Sequence, residues 1–335
     1  MTHVRTWSTG LFAAAAALSL LTACATDEGA GAEPEATSTD GADAQAEAQD
    51  ESAYEAVSIE HPQGTLELDA MPETVVTFDL AALTVLDELG VEVTGVPKTN
   101  LTADLESYAG DEYLDAGTLF EPDFEAVAAA APDLIVVAGR SAAAYPELAK
   151  IAPTVDLSND WADFAASVKE NDAKLGEIFD KEDEVAALAD EFDAKASAVQ
   201  AAAADAGSSL IVLTSAGEVT AYGPGSRFGF LHDALGLTPA VEDVEEATHG
   251  EAISFEFVRD ADPDHLFVVD RDAAVGEGTD NAQAVLDNEL VHGTTAWQED
   301  QVTYVDPASW YIVNGGLPTL IDIADEVGAA IGADV

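Results

Sequence analysis

From Val57 onward, short apolar runs alternate along the chain with longer amphipathic ones. Val57–Glu60 and Thr65–Leu68 alternate apolar and polar positions around His61-Pro62-Gln63-Gly64, the signature of a hairpin. Beyond it, the pattern predicts a strand at Val75–Phe78, a helix over Ala81–Leu89 that stops at Gly90, and a strand at Val91–Val96. A helix over Phe124–Ala131 and a strand at Leu134–Ala138 follow. Trp161 to Asp205 is nearly free of Gly and Pro, with a division expected near Gly176 and Phe179-Asp180. Over Lys181–Asp205 the apolar residues Val185, Leu188, Ala189, Phe192, Ala196 and Val199 fall at helical spacing. Such a helix is about 37 Å long, at roughly 1.5 Å per residue. After Gly207 the alternation restarts, with strands expected at Leu210–Thr214, Val219–Tyr222, Leu266–Val269 and Val302–Val305, and a helix over Arg227–Leu235. Strands that alternate with helices indicate an α/β fold with largely parallel strands.

Part of the pattern recurs. Phe124-Glu125-Ala126-Val127, then Pro132-Asp133, Val137 and Arg140, reappears as Phe255-Glu256-Phe257-Val258, Pro263-Asp264, Val268 and Arg271, at a constant offset of 131 residues. A weaker echo links Leu86–Val91 with Leu231–Leu237. Any helix–Pro–strand unit gives some likeness of this kind; the sharper reading is two Rossmann-like lobes joined by one long backbone helix. Each lobe then carries a strand that leads to an arginine. Ligands of open α/β sheets bind beyond the carboxyl ends of the strands, so Arg140 and Arg271 are expected on opposite walls of an interlobe cleft. The chain divides accordingly: 1–23 a signal peptide, 24–56 a modified cysteine and acidic tether, 57–160 the N-terminal lobe, 161–206 the connecting helical segment and 207–335 the C-terminal lobe.

The start of the chain has a separate logic. Arg5 precedes an apolar run of 13 residues, Leu11–Ala23. That run falls short of the roughly 20 residues a membrane-spanning helix needs and reads as an export signal. Leu21-Thr22-Ala23-Cys24 resembles the bacterial lipobox, in which Cys24 is lipidated and becomes the new N-terminus; an ordinary signal peptide with an incidental cysteine is the plainer alternative. Residues 25–53 are acidic, with no Lys or Arg, as in a self-repelling tether. These features place the folded part outside the cytoplasmic membrane and anchored to it.

Composition narrows the chemistry. With 11 Lys and Arg against 66 Asp and Glu, the formal net charge is −55. That balance excludes a nucleic-acid binder that works through a basic surface and argues against docking on anionic lipid. A single cysteine permits no intramolecular disulfide and no cysteine-based metal cluster. No His-Glu-x-x-His, Gly-x-Ser-x-Gly or P-loop is present, so zinc-hydrolase, serine-hydrolase and nucleotidase readings lack support, and no resident cofactor is expected. The arginines are Arg5, Arg140, Arg227, Arg259 and Arg271. Arg227 lies in Gly223-Pro224-Gly225-Ser226-Arg227-Phe228-Gly229, read as a glycine-rich turn that opens a helix, where free N–H groups and a guanidinium together suit an anion. Arg140, Arg227 and Arg271 at ligand-facing loops suggest an anion pocket, though each arginine taken singly has many carboxylates to pair with. His249, in Thr248-His249-Gly250, and Tyr311, after a strand, are further candidates for the same edge.

Lipobox, tether, two lobes, connecting helix and the paired Phe-Glu…Pro-Asp units resemble the substrate-binding lipoproteins of ABC iron importers, above all the binders of catecholate ferric siderophores. The motifs that carry the likeness include Gly117–Glu125 (GTLFEPDFE), Gly139-Arg140 followed by Tyr145, Tyr222–Gly229 (YGPGSRFG), Ala247–Gly250 (ATHG) and Asp306–Gly316 (DPASWYIVNGG). The resemblance implies a class III periplasmic-binding-protein fold and no enzymatic activity. Arg140, Arg227 and Arg271 would contact catecholate oxygens, His249 and Tyr311 would complete the iron shell, and Glu125 and Glu256 would dock on the permease. The implied ligand is a ferric siderophore, and the implied partners are permease subunits and, through the lipid, the membrane, with the binder itself a monomer. A haem, cobalamin or hydroxamate receptor is the alternative within binding proteins; a surface hydrolase or an adhesion lipoprotein finds no support in the residues.

Overall fold

The hairpin closes first. β1 (Val57–His61) and β2 (Gly64–Leu68) pair antiparallel, and their alternate residues Val57, Ile59, Leu66 and Leu68 are buried. The structure is a computed structural model and describes residues 54–244, 250–276 and 281–335. Just before β1, the Tyr54 hydroxyl donates to the carbonyl of Ile178, which ties the edge of the expected tether to the fold.

The first half of the chain then builds a five-stranded parallel sheet from β3 (Val75–Thr77), β4 (Gly95–Val96), β5 (Leu114–Asp115), β6 (Leu134–Val137) and β7 (Thr154–Asp156), in the order β5-β4-β3-β6-β7. Every residue of β3 and β6 is buried, as expected of strands covered on both faces. The chain winds outward from β3 in one direction and from β6 in the other, so the two strands flank a switch point. Helix Leu80–Glu88 starts there, capped by Asp79, whose carboxylate accepts from the Ala82 N–H at 2.8 Å. The expected strand over 91–96 is shorter, because the Val91 N–H closes the end of this helix on the Leu86 carbonyl.

The second half repeats the plan with an altered edge. β8 (Ser208–Ser215), β9 (Glu218–Tyr222), β10 (Thr238–Pro239), β11 (Glu251–Ile253), β12 (His265–Asp270) and β13 (Val302–Tyr304) form one sheet, in the order β11-β9-β8-β12-β13. β8, β12 and β13 are parallel, β9 alone runs against them between β8 and β11, and β10 joins the start of β8 in parallel. The switch point lies between β8 and β12.

The 131-residue repeat is structural. Helix Phe124–Ala130 corresponds to Phe255–Ala261. Both end on a left-handed residue, Ala131 and Asp262, each followed by a proline that cannot continue the helix. In each unit the next aspartate clasps the start of the neighbouring strand: Asp133 accepts from the Thr74 N–H at 2.9 Å, and Asp264 from the Ser208 N–H at 2.7 Å.

The connecting segment is two helices, Phe164–Ile178 and Glu182–Ala203, that fold back on each other at Phe179–Lys181, where Asp180 is left-handed. The first helix runs through Gly176 without a break. The second opens with Glu182, Asp183 and Glu184, which suit the positive helix N-terminus. Helix Leu317–Ile331 buries Leu317, Leu320, Ala324 and Val327 along one face and packs against these helices and Leu80–Glu88. Asp172 accepts from the Leu317 N–H at 2.6 Å and fixes that contact. No helix of the described residues is long and apolar enough to cross a membrane.

Candidate functional site

The two switch points supply the site. Beyond β6, Gly139 adopts φ 38°, and the turn sends Arg140 toward the second half of the chain. Its guanidinium donates to the carbonyls of Tyr311 at 2.7 Å and Ile312 at 2.9 Å. Beyond β12, Arg271 donates from Nε to the Tyr311 hydroxyl at 3.0 Å and reaches Ser215, at the end of β8, at 3.4 Å.

Arg227 arrives from a third direction. Ser226 donates from its hydroxyl to the Gly223 carbonyl at 2.5 Å, and Asp233 accepts from the Gly225 N–H at 2.6 Å. A Cβ at Gly229 would lie 2.6 Å from the Gly223 oxygen, so only glycine lets this turn close. The turn uses residues 223–229, and the following helix is only Phe230–Asp233, not the expected Arg227–Leu235. The turn, not a helix dipole, therefore positions Arg227, which donates to the Tyr311 carbonyl at 2.5 Å.

Tyr311 is the hub. The three guanidinium carbons stand 5.9 Å (Arg140), 4.4 Å (Arg227) and 5.7 Å (Arg271) from its ring centre, within the range of cation–π attraction. The tyrosine belongs to the π-helical turn Ala308–Val313, a wide turn often found at functional sites. Its neighbour Trp310 is fully buried between Phe228 and Phe230, and the indole N–H donates to Glu326 at 2.7 Å. That packing fixes the carbonyls on which the arginines converge.

A cavity of about 350 Å³ opens beside the cluster, with Asp79, Arg140, Asn159, Trp161, Arg227 and Asn314 in its wall. Asn314 is 5% exposed and left-handed. Neither of its side-chain polar atoms, nor Nε of Arg227, has a hydrogen-bond partner among the described residues. Asp79, Arg140 and Asn159 all follow N-terminal-lobe strands, so the strand-end rule applied to every strand, and not only to the repeated ones, finds the two that sequence reasoning missed. Asn314 carried a weaker signal, the Asn-Gly-Gly run that permits left-handed backbone.

Electrostatics mark the cluster as short of negative charge. Of the other cations, Lys150, Lys169, Lys174, Lys181, Lys195 and Arg259 pair with carboxylates, and Arg271 stands 3.7 Å from Asp272. Arg140 and Arg227 form no ion pair among the described residues. Burial, reinforced by the charge of Arg140, lowers the Arg227 pKa to about 10. Burial also lowers that of Arg140, against the pull of Asp79 and Tyr311. Asp79 is pushed up by burial and held back by the Ala82 N–H and by Arg140. Each shift has the direction expected of charges removed from water without full compensation.

The remaining candidates fall elsewhere. Glu125 and Glu256 are exposed in the first turns of the two repeated helices. His249 and Cys24 lie outside the described residues.

A two-lobed α/β fold, with a helical connection and a basic cluster between facing strand ends, is the fold of a class III solute-binding protein. The chain belongs to the periplasmic binding protein family, whose profile matches residues 75–308. It is similar to the petrobactin-binding protein YclQ of Bacillus subtilis (strain 168), at 38% identity over 259 residues, 76% of this chain and 81% of that protein. The crystal structure of YclQ aligns with a TM-score of 0.80 at 35% identity, covering 84% of this chain and 100% of that one. The ferric-anguibactin-binding protein FatB of Vibrio anguillarum is 34% identical over 278 residues, 81% of this chain and 86% of FatB. The periplasmic catecholate-siderophore binding protein VctP of Vibrio cholerae aligns with a TM-score of 0.78 at 34% identity, over 82% of this chain and 100% of that one.

Proposed function

We propose that this chain captures a ferric catecholate siderophore between its lobes and delivers it to an ABC permease. One observation carries the reading. In a chain of net charge −55, guanidinium groups from both lobes converge on one spot, and two of them are half-buried with no carboxylate ion pair among the described residues. The names of YclQ, FatB and VctP support the same ligand class.

The chemistry is coherent. Ferric iron prefers anionic oxygen donors, and a tris-catecholate complex of it is a trianion. Arginine offers planar bidentate donors for such oxygens and stacks on catechol rings. Screening over about 8 Å in physiological salt limits repulsion by distant carboxylates, so the local charge decides. A bis-catecholate leaves iron positions open, and His249 and Tyr311 fill them. The Tyr311 oxygen already accepts a hydrogen bond from Arg271, at the centre of the three guanidinium groups. Residues 1–23 direct export and Cys24 carries the lipid. Residues 24–56 space the lobes 57–160 and 207–335, joined by 161–206, from the membrane. Glu125 and Glu256 meet basic residues of the permease, and the protein acts as a monomer without nucleic acid.

A fluorescence titration tests the reading, since Trp161 lines the cavity. Ferric petrobactin and other ferric catecholates should quench emission at micromolar concentration. No quenching by any of them, or a Soret band with haem in their place, overturns the proposal.

A further inference from the structure

The motif Gly117–Glu125 contributes only Glu125 to the reading above, yet most of its structure serves another residue. Gly117 has φ 105°, and a Cβ there would lie 2.6 Å from the Glu121 oxygen. Gly117 bridges to Pro122, and its N–H donates to Asp115 at 3.1 Å. The Thr118 hydroxyl accepts from the N–H groups of Phe120 at 3.2 Å and Glu121 at 2.9 Å, while the Thr118 N–H donates to the Glu121 carbonyl at 3.0 Å. Leu119 is buried in the core. This tightly bonded turn holds Phe120 at its tip, 68% exposed, and Phe124 close by is 40% exposed. A rigid, solvent-facing aromatic has the form of a binding anchor, because little conformational freedom is lost when it docks.

We propose that Phe120 is an apolar anchor that seats the N-terminal lobe in a hydrophobic pocket of the permease, next to the contact made by Glu125. The inference rests on the reading of Glu125 and Glu256 as docking residues. It adds what those two cannot supply. Glutamates on two repeated helices would fit a two-fold partner in either of two orientations. The anchor breaks that ambiguity, because the described residues of the C-terminal lobe hold no counterpart at the equivalent place: the position 131 residues after Phe120 is Glu251, within β11, and Phe255 is half-buried. Beside Glu256 the surface is instead a groove of about 450 Å³ lined by Gly217, Ala252, Ile253 and Phe255. One lobe presents a knob and the other a groove. The acidic surroundings of Phe120, with Asp115, Glu121, Asp123 and Glu125, favour a basic protein rim over an anionic lipid surface.

The test uses the full chain as the sole source of this binder in its host, with ferric petrobactin labelled in its iron. Phe120→Ala and Phe120→Asp should leave the melting temperature and the quenching Kd unchanged. Uptake should fall about tenfold for Phe120→Asp, the scale of losing one well-buried contact. Uptake within twofold of wild type for Phe120→Asp overturns the proposal. In that case loss of uptake in the double variant Glu125→Ala/Glu256→Ala leaves the docking reading standing, and retained uptake removes that reading as well. Binding of the wild-type chain, but not Phe120→Asp, to permease-free vesicles of phosphatidylglycerol and phosphatidylethanolamine also overturns it, in favour of a lipid contact.

Discussion

The two lobes carry one helix–proline–strand unit at equivalent places but finish it differently. In the N-terminal lobe, Arg140 leaves the sheet through a left-handed glycine and crosses to the carbonyls of Tyr311 and Ile312. In the C-terminal lobe, Arg271 follows its strand directly and stays beside its own Asp272. The same fold element thus produces one arginine with no ion pair among the described residues and one that is partly compensated. The difference teaches that a repeat fixes where a charge emerges, while the connection after the strand decides how much of that charge a ligand can use.

The comparison breaks most visibly if both arginines are removed in turn. Arg140→Ala should weaken ferric-siderophore binding at least about thirtyfold, given the roughly 2–5 kcal/mol typical of truncating one partner in a desolvated charged contact. Arg271→Ala should cost nearer tenfold, about 1.4 kcal/mol, in the same quenching titration. Equal losses would mean that Asp272 does not blunt Arg271.

Asp133 and Asp264 test whether the units are equivalent in stability. Alanine at either should cost about 1–2 kcal/mol in urea unfolding, the value of its hydrogen bonds to the neighbouring strand. Asp264 also has a depressed pKa, chiefly from the Ser208 N–H. Its contribution is present above the ordinary carboxylate pKa and is lost as pH falls through its own lower one. Asp264→Asn should therefore flatten the acid limb of the stability profile.

Asp172 is read through pH rather than through ligand, because burial pushes its pKa up to about 8. The folded state holds this proton more tightly than the unfolded chain, so stability declines as pH rises from about 4 toward 8. Asp172→Asn should remove that decline in a series of melting temperatures, and an unchanged slope would contradict the assignment.

Much of this was legible in the residues. The hairpin, the β6 and β12 strands and the repeat were readable because their signals are local: alternation, Pro-Asp after a helix, apolar runs. The Arg227–Leu235 helix was misread because glycine packing at Gly229 turns the chain where periodicity alone continues it. Arg140 and Arg271 were expected across a cleft from strand ends, and Arg227 from its glycine-rich turn. Tyr311 was expected at the same edge, but not as the hub that all three arginines bond, because that depends on the buried setting of Trp310. Asp79 and Asn159 were missed because the strand-end rule was applied to the repeated strands alone, and Asn314 because only the tertiary fold makes its Asn-Gly-Gly turn a neighbour of the arginines.

The bonds that assemble the pocket join residues far apart in sequence: 172 positions separate Arg140 from Ile312, and 145 separate Asp172 from Leu317. Contacts of such span form late, because the loop they close must be ordered first. A refolding molecule should regain its secondary structure well before it can hold ligand, and recovery of quenching dates the moment at which the two halves have found each other.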